Sequence, residues 1–315
     1  MVDSSSINGR YKKKPLACAC AEIDVKMDLR SSVTDQALCN AMTIDVEDYF
    51  QVSAFEHIVN RDDWNKFDCR VEASTDKILA MFSAHKVKAT FFVLGWIAER
   101  YPELVKRIHA QGHEIASHGY DHQRVSSLNA KAFRSDVVRT KSLLEDLTGA
   151  VVKGYRAPSY SIGRDNLWAI DVLHDTGHKY SSSIYPVKHD HYGMPEAPRF
   201  SYHHKPSGLL EIPITTVSLF GRNIPGGGGG YFRFFPYRFS KWAIDQVNTQ
   251  DRQAAIFYLH PWELDPAQPR QGGLPLKTRF RHYVNLSLVE RRLERLLNDF
   301  EWNRMDRIFL PGTQY

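Results

Sequence analysis

Three carboxylates fall within four residues of TIDVEDYF, at Asp45, Glu47 and Asp48, as an apolar run that reads as a buried strand comes to its end. Adjacent carboxylates repel one another, so a chain that keeps them together needs a cation, a shared proton or open water. The neighbours Ile44, Val46, Tyr49 and Phe50 are large and apolar, which argues against a solvated acidic loop. In SHGYDH, His118 and His122 are four residues apart. That spacing turns two imidazoles to the same side of a helical turn or tight loop. Two imidazoles with one carboxylate make a catalytic zinc set that leaves a coordination place for water. His113 has no such partner and reads as structural. Two more polar residues follow apolar runs, Arg156 in GYRAPSY and His260 in FYLHPWE.

These residues need a frame that brings distant segments to one place. From Ala41 onward, short apolar runs alternate with helical periodicity. Strands are expected at 41–46, 89–94, 114–117, 151–155, 210–215 and 255–259, and helices at 75–85, 97–111, 130–148, 166–176 and 239–249. Strand then helix, repeated, predicts an α/β protein with a parallel sheet. So many units favour a closed or nearly closed (β/α) barrel over an open doubly wound sheet, and no G-x-G-x-x-G follows the first strand. The chemistry of such a sheet collects at the carboxyl ends of its strands, where Asp45, His118, Arg156 and His260 all fall. The run PGGGGG, 225–230, lacks a following Lys-Ser/Thr and reads as a flexible loop, not a phosphate cradle. Leu286, Val289, Leu293, Leu296, Leu297 and Phe300 share one face of a closing helix.

The chain has 315 residues, 43% hydrophobic, with 41 Lys+Arg against 36 Asp+Glu, so it is globular and only mildly basic. Nucleic acid is not an expected partner. Four cysteines without a C-x-x-C pair make neither a disulfide framework nor a zinc knuckle. Residues 1–38 mix Ser, Lys, Asp and Arg without apolar periodicity and read as a mobile leader. They lack the apolar stretch of ~7–15 residues of a secretory signal, and no segment reaches the ~20 of a membrane span, so a cytoplasmic location is expected.

The ordered motifs TIDVEDYF, SHGYDH, GYRAPSY and FYLHPW resemble the polysaccharide deacetylase family, the NodB-homology fold of carbohydrate esterase family 4. With PGGGGGYFRFFPY and HPWELDPAQPR, the first motif looks like the variant found with exopolysaccharide loci of the exosortase type. The resemblance runs from about 41 to 300. It implies a distorted seven-stranded (β/α) barrel over 39–300, with a C-terminal helical extension inside 220–300 and a tail at 301–315. It further implies a divalent metal, most often zinc, and an N-acetylated polysaccharide or oligosaccharide as substrate. Asp45 would be the general base, paired with Arg156, and His260 the general acid. A backbone N–H near Tyr160 would face an oxyanion, Leu259 would wall the acetyl pocket and Trp262 would touch substrate. The metal ligands would be His118, His122 and one acid. If strand geometry persists, Glu47 lies on the same side as Asp45; if the chain turns at once, Asp48 reaches in. We favour Glu47 and keep Asp48 as the rival. The family's aspartate that tunes the catalytic histidine has no clear match here, with Asp190 and Asp265 as candidates. Aromatic residues of YFRFFPY stack on sugar faces or pack internally. Two alternatives stand beside the deacetylase: an amidase of the same fold acting on a small amide or cyclic imide, and a non-catalytic glycan-binding module.

Overall fold

A computed structural model of the chain describes residues 38–189 and 193–312. The expected leader, save Leu38, and Asp190 lie outside them. The strands are β1 (Asn40–Val46), β2 (Thr90–Val93), β3 (Glu114–Ser117), β4 (Gly154–Tyr155), β5 (Tyr180–Ser181), β6 (Tyr202–His203), β7 (Leu210–Glu211), β8 (Thr216–Leu219), β9 (Arg222–Pro225), β10 (Ile256–Leu259) and β11 (Trp302–Asn303). The main sheet runs β10-β1-β2-β3-β4-β5-β7-β6. Every neighbouring pair is parallel up to β7, and only β6 returns antiparallel. The expected parallel sheet is therefore present, curled as a (β/α) barrel of this type requires.

The helices are α1 (Val71–Ala84), α2 (Gly95–Arg100), α3 (Pro102–Ala110), α4 (Ala130–Thr148), α5 (Trp168–Asp175), α6 (Gly229–Phe234), α7 (Tyr237–Thr249), α8 (Leu276–Tyr283), α9 (Leu286–Asp299) and α10 (Met305–Phe309). The single helix expected at 97–111 is two, because Pro102 cannot continue the hydrogen-bond ladder and begins α3. Strand side chains alternate between two apolar layers. Ile44, Val46, Phe91 and Val93 face the helices, while Ala41, Phe92, Ala116, Ile212 and Ile256 fill the interior. Both faces of the sheet are thereby covered, as expected of parallel strands. No helix among the described residues is long and apolar enough to cross a membrane.

The glycine run departs from the flexible loop read from sequence. Thr215, immediately before β8 in the segment that follows β7, accepts from the N–H of Gly226 at 3.0 Å and, through Oγ1, from the N–H of Ile256 at 2.7 Å, while Gly227 accepts from Tyr258 at 2.7 Å. The run thus fills the gap between β7 and β10, the two parallel strands that never pair with each other. A Cβ on Gly227 would lie 2.6 Å from the Ile256 carbonyl oxygen, and one on Gly228 2.1 Å from that of Tyr258. Glycine is required there because two backbones touch. The supposed tail also differs from expectation. Trp302 and Asn303 pair with Asn40 and Ala41, and α10 follows, so the ordered domain continues to about residue 310.

Candidate functional site

The carboxyl ends of β1, β3, β4 and β10 deliver the site. Backbone hydrogen bonds continue past the strands, from His118 to Val93 at 3.0 Å and from Arg156 to Ser117 at 2.9 Å, and so fix where these side chains start. After β1 the chain turns tightly, with the N–H of Glu47 donating to the Asp45 carbonyl at 3.0 Å. This keeps both carboxylates over the barrel mouth. Ligand atoms of Glu47, His118 and His122 all lie within 4.8 Å of one another, and all three residues are buried. Asp48 is turned the other way. Its carboxylate accepts from the N–H groups of Tyr49, Arg70 and Val71 at 2.8, 2.6 and 2.8 Å and caps the start of α1. Burial pushes its pKa up to about 6 against those donors.

The three-residue cluster fits a divalent metal. Glu47 Oε2 is fully buried without a well-directed hydrogen bond, although His122 Nε2 lies 2.8 Å away. Burial alone would raise the Glu47 pKa, but the imidazoles of His122, His260 and His118 outweigh it and hold the carboxyl well below its usual range. Nδ1 of His118 lies 2.8 Å from the Arg156 carbonyl oxygen, which makes Nδ1 the donor and leaves Nε2 with its lone pair for a cation. Burial lowers the His118 pKa to about 4, so it stays neutral, as a ligand must be. Two imidazoles and a carboxylate are the donor set of a catalytic zinc site.

Asp45 sits beside this cluster, its Oδ1 accepting from Arg156 Nη1 at 2.6 Å. Arg156 is completely buried, donates also to Thr43 Oγ1 at 2.8 Å and Ser182 Oγ at 3.1 Å, and covers the Phe92 ring. The guanidinium thus has a single allowed position. His260 approaches from β10, with Nε2 4.0 Å from Asp45 Oδ2 and 3.5 Å from Glu47 Oε1. Its other nitrogen is held by Glu263, at 2.7 Å. Burial would lower the His260 pKa, yet Glu47, Glu263 and Asp45 overcome it and push it up to about 9.

Several sequence expectations need correction. The carboxylate on His260 is Glu263, not Asp265, which is paired with Arg70 instead. Glu263 is itself backed by buried Arg233 of α6, whose Nε is 2.7 Å from Oε2. Leu259 belongs to the helix-facing core and does not line the cavity; alternation on β10 gives that place to Tyr258. The N–H of Tyr160 donates to the Ala157 carbonyl at 3.0 Å, so it is spent on the turn. The Tyr160 side chain does line the cavity. Trp262 has its ring faces covered by His260 and His282, at 5.3 and 4.3 Å between centroids. Its indole N–H instead reaches Glu47 Oε1 at 3.2 Å, so it supports the acid more than it offers a stacking face. His113 is structural as expected, its Nδ1 accepting from the Ala89 N–H at 3.1 Å.

Glu263 was within reach of sequence reasoning, three residues after His260 with a proline between, the spacing of a side chain that folds back on its own turn. Arg233 carried no such signal. Of the aromatic segment, Phe232 and Tyr237 are core, whereas Tyr231, Phe234 and Phe235 border a cavity of about 570 Å³ whose floor is Asp45, Glu47, His118 and His122.

Comparison with known proteins agrees with this geometry. Residues 63–181 match the family model for polysaccharide deacetylase, and residues 182–310 match a domain of unknown function (DUF3473). The chain is 40% identical over 98 residues to a peptidoglycan-N-acetylglucosamine deacetylase of Bacillus cereus, covering 31% of this chain and 36% of that protein. It is 35% identical over 100 residues to a chitooligosaccharide deacetylase of Sinorhizobium fredii, covering 31% and 44%. The chain therefore spans less than half the length of these relatives. A solved structure from Mycobacterium smegmatis, provisionally named a polysaccharide deacetylase, superposes with a TM-score of 0.56 at 19% identity, covering 88% of this chain and 91% of that one. The fold is shared with that structure, and the similarity to the deacetylases is confined to the first part of the described domain.

Proposed function

We propose that this chain is a metal-dependent hydrolase that removes N-acetyl groups from an amino-sugar polymer. The observation that carries the reading is the buried Glu47, His118 and His122 cluster, with Asp45 and His260 on either side of one open cavity. The deacetylase names of the relatives support it. Zinc suits the donor set, and when bound it would polarise a carbonyl and lower the pKa of a water toward ~7.

The chain's own residues supply the rest. Asp45, oriented by Arg156, takes a proton from the water that attacks the acetamide carbon. His260, with Nδ1 held by Glu263, turns Nε2 to the reacting centre and gives its proton to the sugar nitrogen as the C–N bond breaks. Water is thus divided between acetate and a free amine, and the balance closes without a co-reactant. A group protonated near neutral pH suits that second task, and His260 at about 9 meets it. An exopolysaccharide as the polymer is the narrower reading, supported by the TIDVEDYF, PGGGGGYFRFFPY and HPWELDPAQPR motifs.

The test is acetate release from N-acetylated oligosaccharides by protein loaded with zinc and by protein stripped with chelator. Release that needs the metal and returns with it is expected. Ammonia from small amides, or ring opening of cyclic imides, without acetate would replace this reading with an amidase.

A further inference from the structure

We propose that the outer face of α8, with the adjoining edge of α6, is a subsite for negatively charged sugars flanking the residue that is deacetylated. The proposal rests on the deacetylase reading and names its substrate class: an anionic glycan bearing carboxylates. Between Asp265 and Glu290 the chain has no acidic residue, while α8 alone carries Lys277, Arg279 and Arg281. Lys277 and Arg281, one helical turn apart, both border the cavity that holds the metal-binding cluster. Arg281 borders the cavity and Arg279 the adjoining groove on the other side of Phe280; both are exposed, and neither forms an ion pair among the described residues. The other carboxylate on the cavity wall, Glu56, is engaged by Arg124 at 3.1 Å. Arg281 at the mouth and Arg279 beyond it are consequently positive charges with no carboxylate partner among the described residues, the condition under which a cleft draws in anions.

The helix is also built to hold its charges in place. His282 and Tyr283 are buried on its inner side, His282 packed flat on Trp262 and hydrogen-bonded to Gln268 at 2.8 Å, with its carbonyl held by Arg233. Beside the cations, Phe280 and Phe234 are 55% and 54% exposed, with ring centroids 6.3 Å apart. An apolar ring covers the C–H face of a pyranose, and a guanidinium forks onto a carboxylate. A neutral polymer would use the rings and take only ordinary hydrogen bonds from the guanidinium groups, without the charge-assisted pairing. A lipid surface would use both, but it would lie across the cavity mouth, where a polymer must enter.

The experiment compares two hexamers, one of N-acetylglucosamine alone and one alternating N-acetylglucosamine with glucuronate, by titration calorimetry and acetate release on the zinc-loaded protein. The charged hexamer is expected to bind about tenfold more tightly at low salt, as two exposed charge contacts would give. That preference should shrink as salt is added. In Arg279→Gln/Arg281→Gln it should fall to roughly threefold or less. Equal affinity of the wild type for both hexamers overturns the proposal. So does a preference insensitive to salt, a reading that holds even if the double variant misfolds. A preference that stays near tenfold in a folded double variant overturns it as well. So does a variant that loses binding to phosphatidylglycerol vesicles while keeping its hexamer preference, which would make the patch a membrane surface. Failure of acetate release from both hexamers would remove the deacetylase reading, and calorimetry would still decide the charge preference.

Discussion

Glu114 begins β3 and His118 follows its end, so one short strand links a buried polar cluster at the base of the barrel to another at its mouth. At the base, Glu114 accepts from Thr90 Oγ1 at 2.5 Å, from the Tyr180 hydroxyl at 3.0 Å and from the N–H of Asp306 at 3.1 Å. Asp306 is gripped in turn by Arg304 at 2.6 and 2.8 Å, and α10 closes over the group. At the mouth, Glu47 meets three imidazoles and an open cavity, and one of its oxygens is left without a well-directed bond. Buried carboxylates are costly at either end unless they are paired. What separates them is completeness: the base is satisfied by the chain itself, whereas the mouth is finished only by something from outside.

If that contrast holds, substitutions at the mouth change chemistry and those at the base change stability. The largest effect is expected for His260→Gln, which keeps an acceptor and donor near Glu263 but cannot deliver a proton. Acetate release should drop by about 10²–10⁴-fold, with bound zinc and melting temperature close to wild type. Near-normal release would mean that another group protonates the amine, and the contrast would lose its catalytic half.

Next in size is the comparison of two neighbours at the mouth. Glu47→Gln should strip the zinc retained after dialysis, because a neutral amide is a poor ligand, while leaving the fold intact. Asp48→Asn should keep zinc and lose about 1 kcal/mol of stability, through weaker capping of α1. Metal analysis beside chemical denaturation reads both. The opposite pattern would move the ligand to Asp48.

Much of the mouth was legible because its signals are local. Strand ends are marked by apolar runs and His118 and His122 by spacing, whereas Glu47 comes beside Asp45 through the tight turn after β1 and not through the strand alternation the sequence suggested. The base was not, because Glu114 meets Asp306 only through the return of β11 and α10 beside β1, a contact that no periodicity announces. The same holds for Arg233, whose meeting with Glu263 depends on the glycine run bridging β7 and β10. Short strands such as β5, two residues long, leave too little pattern to read. Leu259 was misplaced for a simpler reason: on a strand, moving one position changes the face, and Tyr258 and His260 took the inner one.

The last test concerns the base, through an effect spread gradually over pH. Burial and the nearby Asp306 raise the Glu114 pKa from 4.5 to about 7, so the folded protein keeps a proton there that the unfolded chain gives up. Between those two pH values the folded state binds more protons, and stability from this group is present below about 4.5 and lost as pH rises through about 7. Glu114→Gln carries no titrating group. The stability of wild type relative to this variant should therefore decline by on the order of 3 kcal/mol between those limits, measured by urea denaturation at a series of pH values. Taking the difference matters, since the neighbouring His113, held neutral with its pKa lowered to about 4, gives a slope of opposite sign. Its contribution is common to both proteins and cancels. A difference that stays flat across this range would show Glu114 ionised throughout, and the base would then hold an uncompensated charge just as the mouth does.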